Sequence, residues 1–161
     1  MRKPGEFRAF AILLVLLLAC IEALLAYNTL YTEGEVMQGL YHLLVWANLP
    51  ILITAIWKPR IGSWCAVTLG AVLLPWQAAQ NRKWAQLHEE IISIIRHVDS
   101  RKDSEGAYPP TLDDYDFGKP WVREHVSYGV ADGTYRISYF MNDPGTSYWY
   151  NKDGGFGYYP D

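Results

Sequence analysis

The chain has 161 residues, about the length of one ordinary domain, with 50% apolar side chains and a formal net charge of -3. Residues 1–78 carry only Arg2, Lys3, Glu6, Arg8, Glu22, Glu33, Glu35, Lys58 and Arg60 as charges, whereas the remaining 83 residues hold nine of the 14 basic and 13 of the 17 acidic side chains, a local net of -4. An acidic tail speaks against nucleic acid as a partner, and the apolar first half against a soluble monomeric enzyme.

In chain order, residues 9–27, 36–57 and 61–77 form stretches of 19, 22 and 17 residues in which Glu22 is the single Asp, Glu, Lys or Arg. About 20 apolar residues cross the hydrocarbon core, so residues 1–78 are expected to be a membrane domain of three transmembrane helices in a lipid bilayer. Arg2, Lys3 and Arg8 precede the first span, Lys58 and Arg60 join the second to the third, and residues 28–35 contain no Lys or Arg. The positive-inside rule then puts the N-terminus in the cytoplasm and the tail outside, with Arg82 and Lys83 as the two opposing charges against five. Trp57 and Trp64 bracket the Lys58-Pro59-Arg60 turn, while Tyr27, Tyr31, Tyr41 and Trp76 fall near the opposite surface, an aromatic belt at each interface.

Leu17-Leu18-Ala19-Cys20 also has the form of a lipoprotein signal, which would lipidate Cys20 and remove what precedes it. The apolar run continues to Tyr27, which favours an intact span. Cys65 sits near the inner end of the third span, at a different depth from Cys20, so no disulfide between them is expected.

Glu22 and His42 are ionisable side chains inside spans. At 1.5 Å per residue they lie roughly 20 Å and roughly 22 Å from the inner boundary, at the same depth. An unpaired ionisable group there costs about 3 kcal/mol, so the two are expected to hydrogen-bond between spans one and two, the alternative being that each reaches water alone at the outer interface.

Residues 79–161 have a different pattern. Trp84, Leu87, Ile91, Ile94 and Val98 recur at spacings of 3, 4, 3 and 4, widened by Ile92 and Ile95, which predicts that the third span continues, kinked near Pro75, as an amphipathic helix. Arg82, Lys83, Gln86, Glu89, Glu90 and Arg96 are assigned to its polar side, and the polar run from Asp99 to Gly106 to its end. Thr111 is placed as the cap of a short turn. From His125 onward the period is two. Asp132-Gly133 predicts a two-residue hairpin pairing Val130 with Tyr135, Tyr128 with Ile137 and Val126 with Tyr139, all on one face. Further turns are expected at residues 142–145 and at Asp153-Gly154; a turn at Gly154-Gly155 instead would move Phe156 and Tyr158 to the other sheet face. The predicted fold is membrane-anchored α+β: three transmembrane helices, the third packed by its extension on a three- or four-stranded antiparallel sheet in an extracytoplasmic domain.

A half-apolar, half-amphipathic helix followed by Gly106-Ala107-Tyr108-Pro109-Pro110-Thr111-Leu112-Asp113-Asp114 and a Gly/Tyr-rich sheet resembles the pseudopilins of type II secretion, the protein G-like members included, and the wider type IV pilin-like group. The resemblance covers roughly residues 76–161 and implies a pilin-like fold. Such precursors carry a basic leader ending in Gly and then an apolar run with Glu at its fifth position, whereas Gly5 here is followed by Glu6-Phe7-Arg8-Ala9-Phe10. Prepilin processing and filament polymerisation are therefore not carried over, nor is any functional residue.

No residue pattern points to catalysis, a metal or a cofactor. His88 and His97 are nine residues apart and fall on opposite helix faces, His88-Glu89-Glu90 lacks the second histidine of a zinc helix, and Asp113, Asp114 and Asp116 lack the spacing of a calcium loop. No nucleophile elbow or phosphate loop is present. The best candidate site is aromatic: with a turn at Asp153-Gly154, Asn151 pairs Phe156 and Trp149 pairs Tyr158, so Trp149, Phe156 and Tyr158 join Arg136, Ser127 and Ser138 on the sheet face away from the helix. Three aromatics beside a cation suit a sugar ring or a partner's side chain; alternatively Tyr115, Phe117 and Trp121 fold over this face and bury it. The function expected is that of a non-enzymatic protein of a bacterial cytoplasmic (inner) membrane acting through protein contacts in assembly, secretion or scaffolding. An envelope glycan- or peptide-binding module and a membrane-bound immunity or stress protein are the alternatives.

Overall fold

A computed structural model of the chain describes residues 4–32, 37–142 and 147–159. It divides into two compact units, Met1–Arg82 and Lys83–Asp161.

The first unit contains helix α1 (Pro4–Tyr27), a π-helical turn (Asn28–Thr32), helix α2 (Gln38–Trp57) and the first half of helix α3 (Pro59–Glu105). All three helices are long and apolar enough to cross a membrane. They associate through small side chains: Val15, Ala55 and Ala66, from α1, α2 and α3, form a buried cluster with Leu18, Ile51 and Leu52 packed on it. Small residues let helix backbones approach, which is how apolar helices gain contact when the surroundings are as apolar as they are. The α2–α3 turn is the tightest point. A Cβ on Gly62 would overlap the Ala55 backbone, so only glycine lets the two helices leave the Lys58 turn this close. Outward, Leu13, Leu24, Leu43 and Val72 are each 66–68% exposed.

In the second unit the remainder of α3 lies on a four-stranded antiparallel sheet of order β1-β2-β3-β4, with β1 Val126–Ala131, β2 Thr134–Tyr139, β3 Ser147–Asn151 and β4 Gly155–Tyr159. The predicted apolar stripe is the core: Trp84, Leu87, Ile91, Ile94 and Val98 are buried against Tyr135, Ile137, Tyr139 and Tyr148, with Val122 and Met141. The first hairpin has the expected register, Val126 with Tyr139 through Ala131 with Thr134. Its turn residues Asp132 and Gly133 have φ of 52° and 78°, the left-handed pair that a two-residue hairpin of this twist requires. The turn expected at residues 142–145 lies outside the described residues apart from Asn142.

The helix ends within the expected polar run, at Glu105, and the side chains of that run have partners: Arg101 with Glu105 and Asp114, and Asp99 with Lys152 and the Tyr135 hydroxyl. Gly106, at φ 77°, then stops it, its N–H bonded to the Lys102 carbonyl at 2.9 Å. One expectation needs correction: the Thr111 hydroxyl does not cap the turn by accepting a backbone N–H but donates to the Asp113 carboxylate at 2.9 Å. Residues 120–125 form a 3₁₀ helix that buries Val122.

The packing at Gly62 makes a direct prediction. Gly62→Leu should destabilise the first unit by about 1–3 kcal/mol through overpacking, whereas Gly39→Ala, with open space around its Cβ position, should be neutral or stabilising. Thermal melts of the detergent-solubilised full chain measure both.

Candidate functional site

The last hairpin decides the fate of the expected aromatic patch. Its loop is Lys152-Asp153-Gly154, one residue longer than a turn centred on Asp153-Gly154, so Asn151 pairs Gly155, Tyr150 pairs Phe156, Trp149 pairs Gly157 and Tyr148 pairs Tyr158. Local chemistry selects it: the Asn151 side chain accepts from the Gly154 N–H at 2.5 Å, and Gly155 takes φ 70°, a conformation costly for any other residue. A one-residue shift in register moves every side chain to the other face. Phe156 and Tyr158 therefore stand on the helix-facing side, not beside Trp149, and the four-residue patch does not exist as a unit.

What remains is two separate surfaces. On the face away from α3, the Arg136 guanidinium lies 5.5 Å from the Trp149 ring centroid, a cation–π contact. A Cβ at Gly157 would overlap that indole, so the ring lies flat across the glycine of the neighbouring strand. Tyr115, Phe117 and Trp121 do not cover this face; they pack on the main core instead. On the other side, Phe156 and Tyr158 project from β4, at one edge of the sheet, with Phe156 5.1 Å from the His88 ring and 4.9 Å from Tyr150. Both remain largely open, 48% and 53% exposed.

Glu90, assigned above to the polar face of the helix, is buried. Its Oε1 accepts from the Tyr115 hydroxyl and from the Gly118 N–H, each at 2.9 Å, and pins the loop after Leu112 to the helix. The signal was present in the spacing, since Glu90 is three residues beyond Leu87 and four before Ile94. Burial, reinforced by the bond to Glu90, raises the Tyr115 hydroxyl to about 12, and burial raises Tyr128, whose hydroxyl donates to the Pro109 carbonyl at 2.8 Å, to about 12 as well. Burial also moves Tyr135 and Tyr139 upward.

In the first unit Glu22 is buried, but its partner is not His42. Asn48 donates its Nδ2 to Glu22 Oε2 at 2.6 Å, from α2 to α1. His42 is exposed and lies against Tyr41, ring centroids 5.2 Å apart. Depth alone did not determine the pair: His42 and Asn48 are six residues apart, so they point about 120° away from each other around the helix. Gln77 of α3 is a second buried polar side chain missed by a search for ionisable groups. Asn81 donates to the Leu25 carbonyl at 3.4 Å.

Among the described residues no group of three or more His, Cys, Asp or Glu is placed to hold a metal ion. His97 faces Asp114 at 3.6 Å, and His125 Nδ1 is 2.9 Å from the Trp121 carbonyl. Cys20 and Cys65 are free and exposed. Comparison with known proteins returns no match, whether to a family model, a curated protein or a solved structure.

Two outcomes are expected. Glu90→Leu leaves the Tyr115 hydroxyl and Gly118 N–H without their acceptor and should cost about 1–3 kcal/mol, while Glu90→Gln, which keeps an acceptor oxygen, should cost less by the same thermal melt. For the tyrosines, the folded values near 12 exceed the ordinary value of about 10, so the fold favours the neutral form. Their stabilisation is complete below pH about 10 and is lost as pH rises toward about 12. Tyrosinate absorbance and melting temperature, followed together, should show the loss in that window.

Proposed function

We propose that this chain is a membrane-anchored envelope protein working through protein contacts, in an assembly, secretion-accessory or scaffold role. In this reading the first unit spans a bacterial cytoplasmic membrane three times and the second unit stands on the extracytoplasmic side. The observation that carries it is the outer surface of the first unit, where large apolar side chains are exposed on all three helices. Trp46, Trp57 and Trp64 are among them. Each square ångström of such surface costs about 25 cal/mol in water, and that cost vanishes in hydrocarbon. Orientation follows from the five basic residues on the N-terminal segment and the Lys58 turn.

Protein contact is assigned to β4. An edge strand offers unpaired backbone groups, and Phe156 and Tyr158 add two exposed rings beside them, the combination used when a partner's extended segment joins a sheet. One helix laid on a four-stranded meander supports kinship with pilin-like domains at the level of architecture. A second reading, an envelope glycan- or peptide-binding face, is favoured by the Trp149–Arg136 contact on the sheet face away from α3.

Reporter fusions test the topology: a periplasmic reporter after Asp161 should be active and one within residues 58–60 inactive, and activity at the Lys58 turn would overturn the scheme. A photo-cross-linker placed at Phe156 or Tyr158 in cells should give discrete protein adducts, and one at Gly129 on the opposite face should not. Adducts at Gly129, or loss of sugar pelleting by the full chain in Trp149→Ala, would move the function to the other face of the sheet.

A further inference from the structure

We propose that the first unit contains a binding site for one positive charge, either a proton or a monovalent metal ion of sodium size, built by Glu22 of α1, Asn48 of α2 and Gln77 of α3. The proposal rests on the membrane reading above.

Glu22 is 4% exposed. Among the described residues its one side-chain partner is the neutral amide of Asn48, and no Lys, Arg or His forms an ion pair with it. Within hydrocarbon a carboxylate answered by a single neutral donor is strongly unfavourable, and the remedy is a cation or a proton at the carboxylate itself. Among the described residues no titratable side chain of the packed helices substitutes for it. The remaining buried positions on the Glu22 stripe are Ala11, Val15 and Ala26 of α1 and Thr29 of the π-helical turn, His42 of α2 is exposed, and Arg82, five residues beyond Gln77 on α3, is exposed.

Acceptors for the charge are in place. Glu22 Oε1 is buried with no hydrogen-bond partner, and so are both Oε1 and Nε2 of Gln77, a side chain with 0% exposure. Two approaches of α1 to α3 flank these groups: a Cβ at Gly70 of α3 would lie 3.7 Å from the Leu18 side chain of α1, and Asn81 of α3 bonds the Leu25 carbonyl of α1. Glu22 falls between Leu18 and Leu25, and Gln77 between Gly70 and Asn81, each on the buried stripe of its helix. A proton on Glu22 Oε1 converts that oxygen into a donor for Gln77 Oε1; a metal ion takes the two oxygens as ligands. The site is close to the proposed outer surface, since Glu22 precedes Tyr27 by five residues, roughly 8 Å along the helix.

The test is labelling of the full chain in phospholipid vesicles with dicyclohexylcarbodiimide, an apolar reagent whose central carbon is attacked by the carboxyl oxygen while the acid proton passes to its nitrogen. An apolar groove between α1 and α2, lined by Ala19, Val45, Trp46, Asn48 and Leu49, offers it a route from lipid. Mass spectrometry should find the adduct on Glu22 and none there in Glu22→Gln, with the rate changed several-fold in Gln77→Leu and Asn48→Leu. On the unaltered chain, slowing by sodium at constant pH identifies the metal ion, and a rate that falls as pH rises but ignores sodium identifies the proton. No adduct at Glu22, a rate indifferent to both, or an unchanged rate in Gln77→Leu would overturn the site. Release of the chain from vesicles by alkaline carbonate would overturn the membrane reading instead.

Discussion

The periodicity of α3 is the constraint on which the other elements depend. Its buried positions, Ala66, Gln77, Trp84, Leu87, Ile91, Ile94 and Val98, recur at multiples of the helical repeat. Only the chemistry of the stripe changes along its length. Near Ala66 it is small, which permits close approach to Val15 and Ala55; from Trp84 onward it is bulky, and needs the depth of a sheet to fill against. Gln77, like Glu90, is a polar residue buried on this helix, and buried polar groups of this kind are the costly positions that a fold retains for a reason.

The sheet meets this stripe with tyrosine where a larger domain would use aliphatic residues. Tyr135, Tyr139 and Tyr148 are buried, and Tyr108, Tyr115, Tyr128 and Tyr150 pack on them. A tyrosine carries enough apolar area to fill a small core but brings a hydroxyl that has to be satisfied. Several hydroxyls reach the margin of the core: Tyr128 to the Pro109 carbonyl, Tyr135 to Asp99 and Tyr115 to Glu90. Those bonds tie the helix end and the irregular loop to the core, so the segment from Gly106 to Lys119 is held by polar contacts at its edges and by Leu112, Tyr115 and Phe117 beneath. Trp84 closes the other end, 4.6 Å from Tyr148.

The two faces of the sheet are unlike because strand side chains alternate. The face toward α3 takes all the large apolar residues of β1 and β2; the other takes Ser127, Gly129, Arg136 and Ser138, with Trp149 from β3 stretched over Gly157. Phe156 and Tyr158 belong by parity to the helix-facing side, yet they lie on the edge strand and remain largely exposed. Edge position, more than face, makes them available.

Some of this was legible in the residues alone. Hydropathy and length define the three apolar helices, a 3.6-residue spacing defines the stripe from Trp84 to Val98, and Asp132-Gly133 between alternating residues sets the first hairpin register, because each of these signals is local and periodic. The Glu22 partner was not legible: depth follows from counting residues, but which of His42 and Asn48 turns toward α1 depends on helix rotation, which packing alone sets. Spacing puts Glu90 beside the apolar stripe, but its bonds to Tyr115 and Gly118 required the loop to return over it, a long-range contact. The last hairpin is the sharpest case. Asp153-Gly154 and Gly154-Gly155 are both credible turns from the sequence, and only the three-residue loop, with Asn151 bonding Gly154 and Gly155 left-handed, set the register that separated Phe156 and Tyr158 from Trp149. Period-two patterns determine which residues share a face within a strand, and tertiary structure decides which face each strand presents, because a single residue in a turn reverses it.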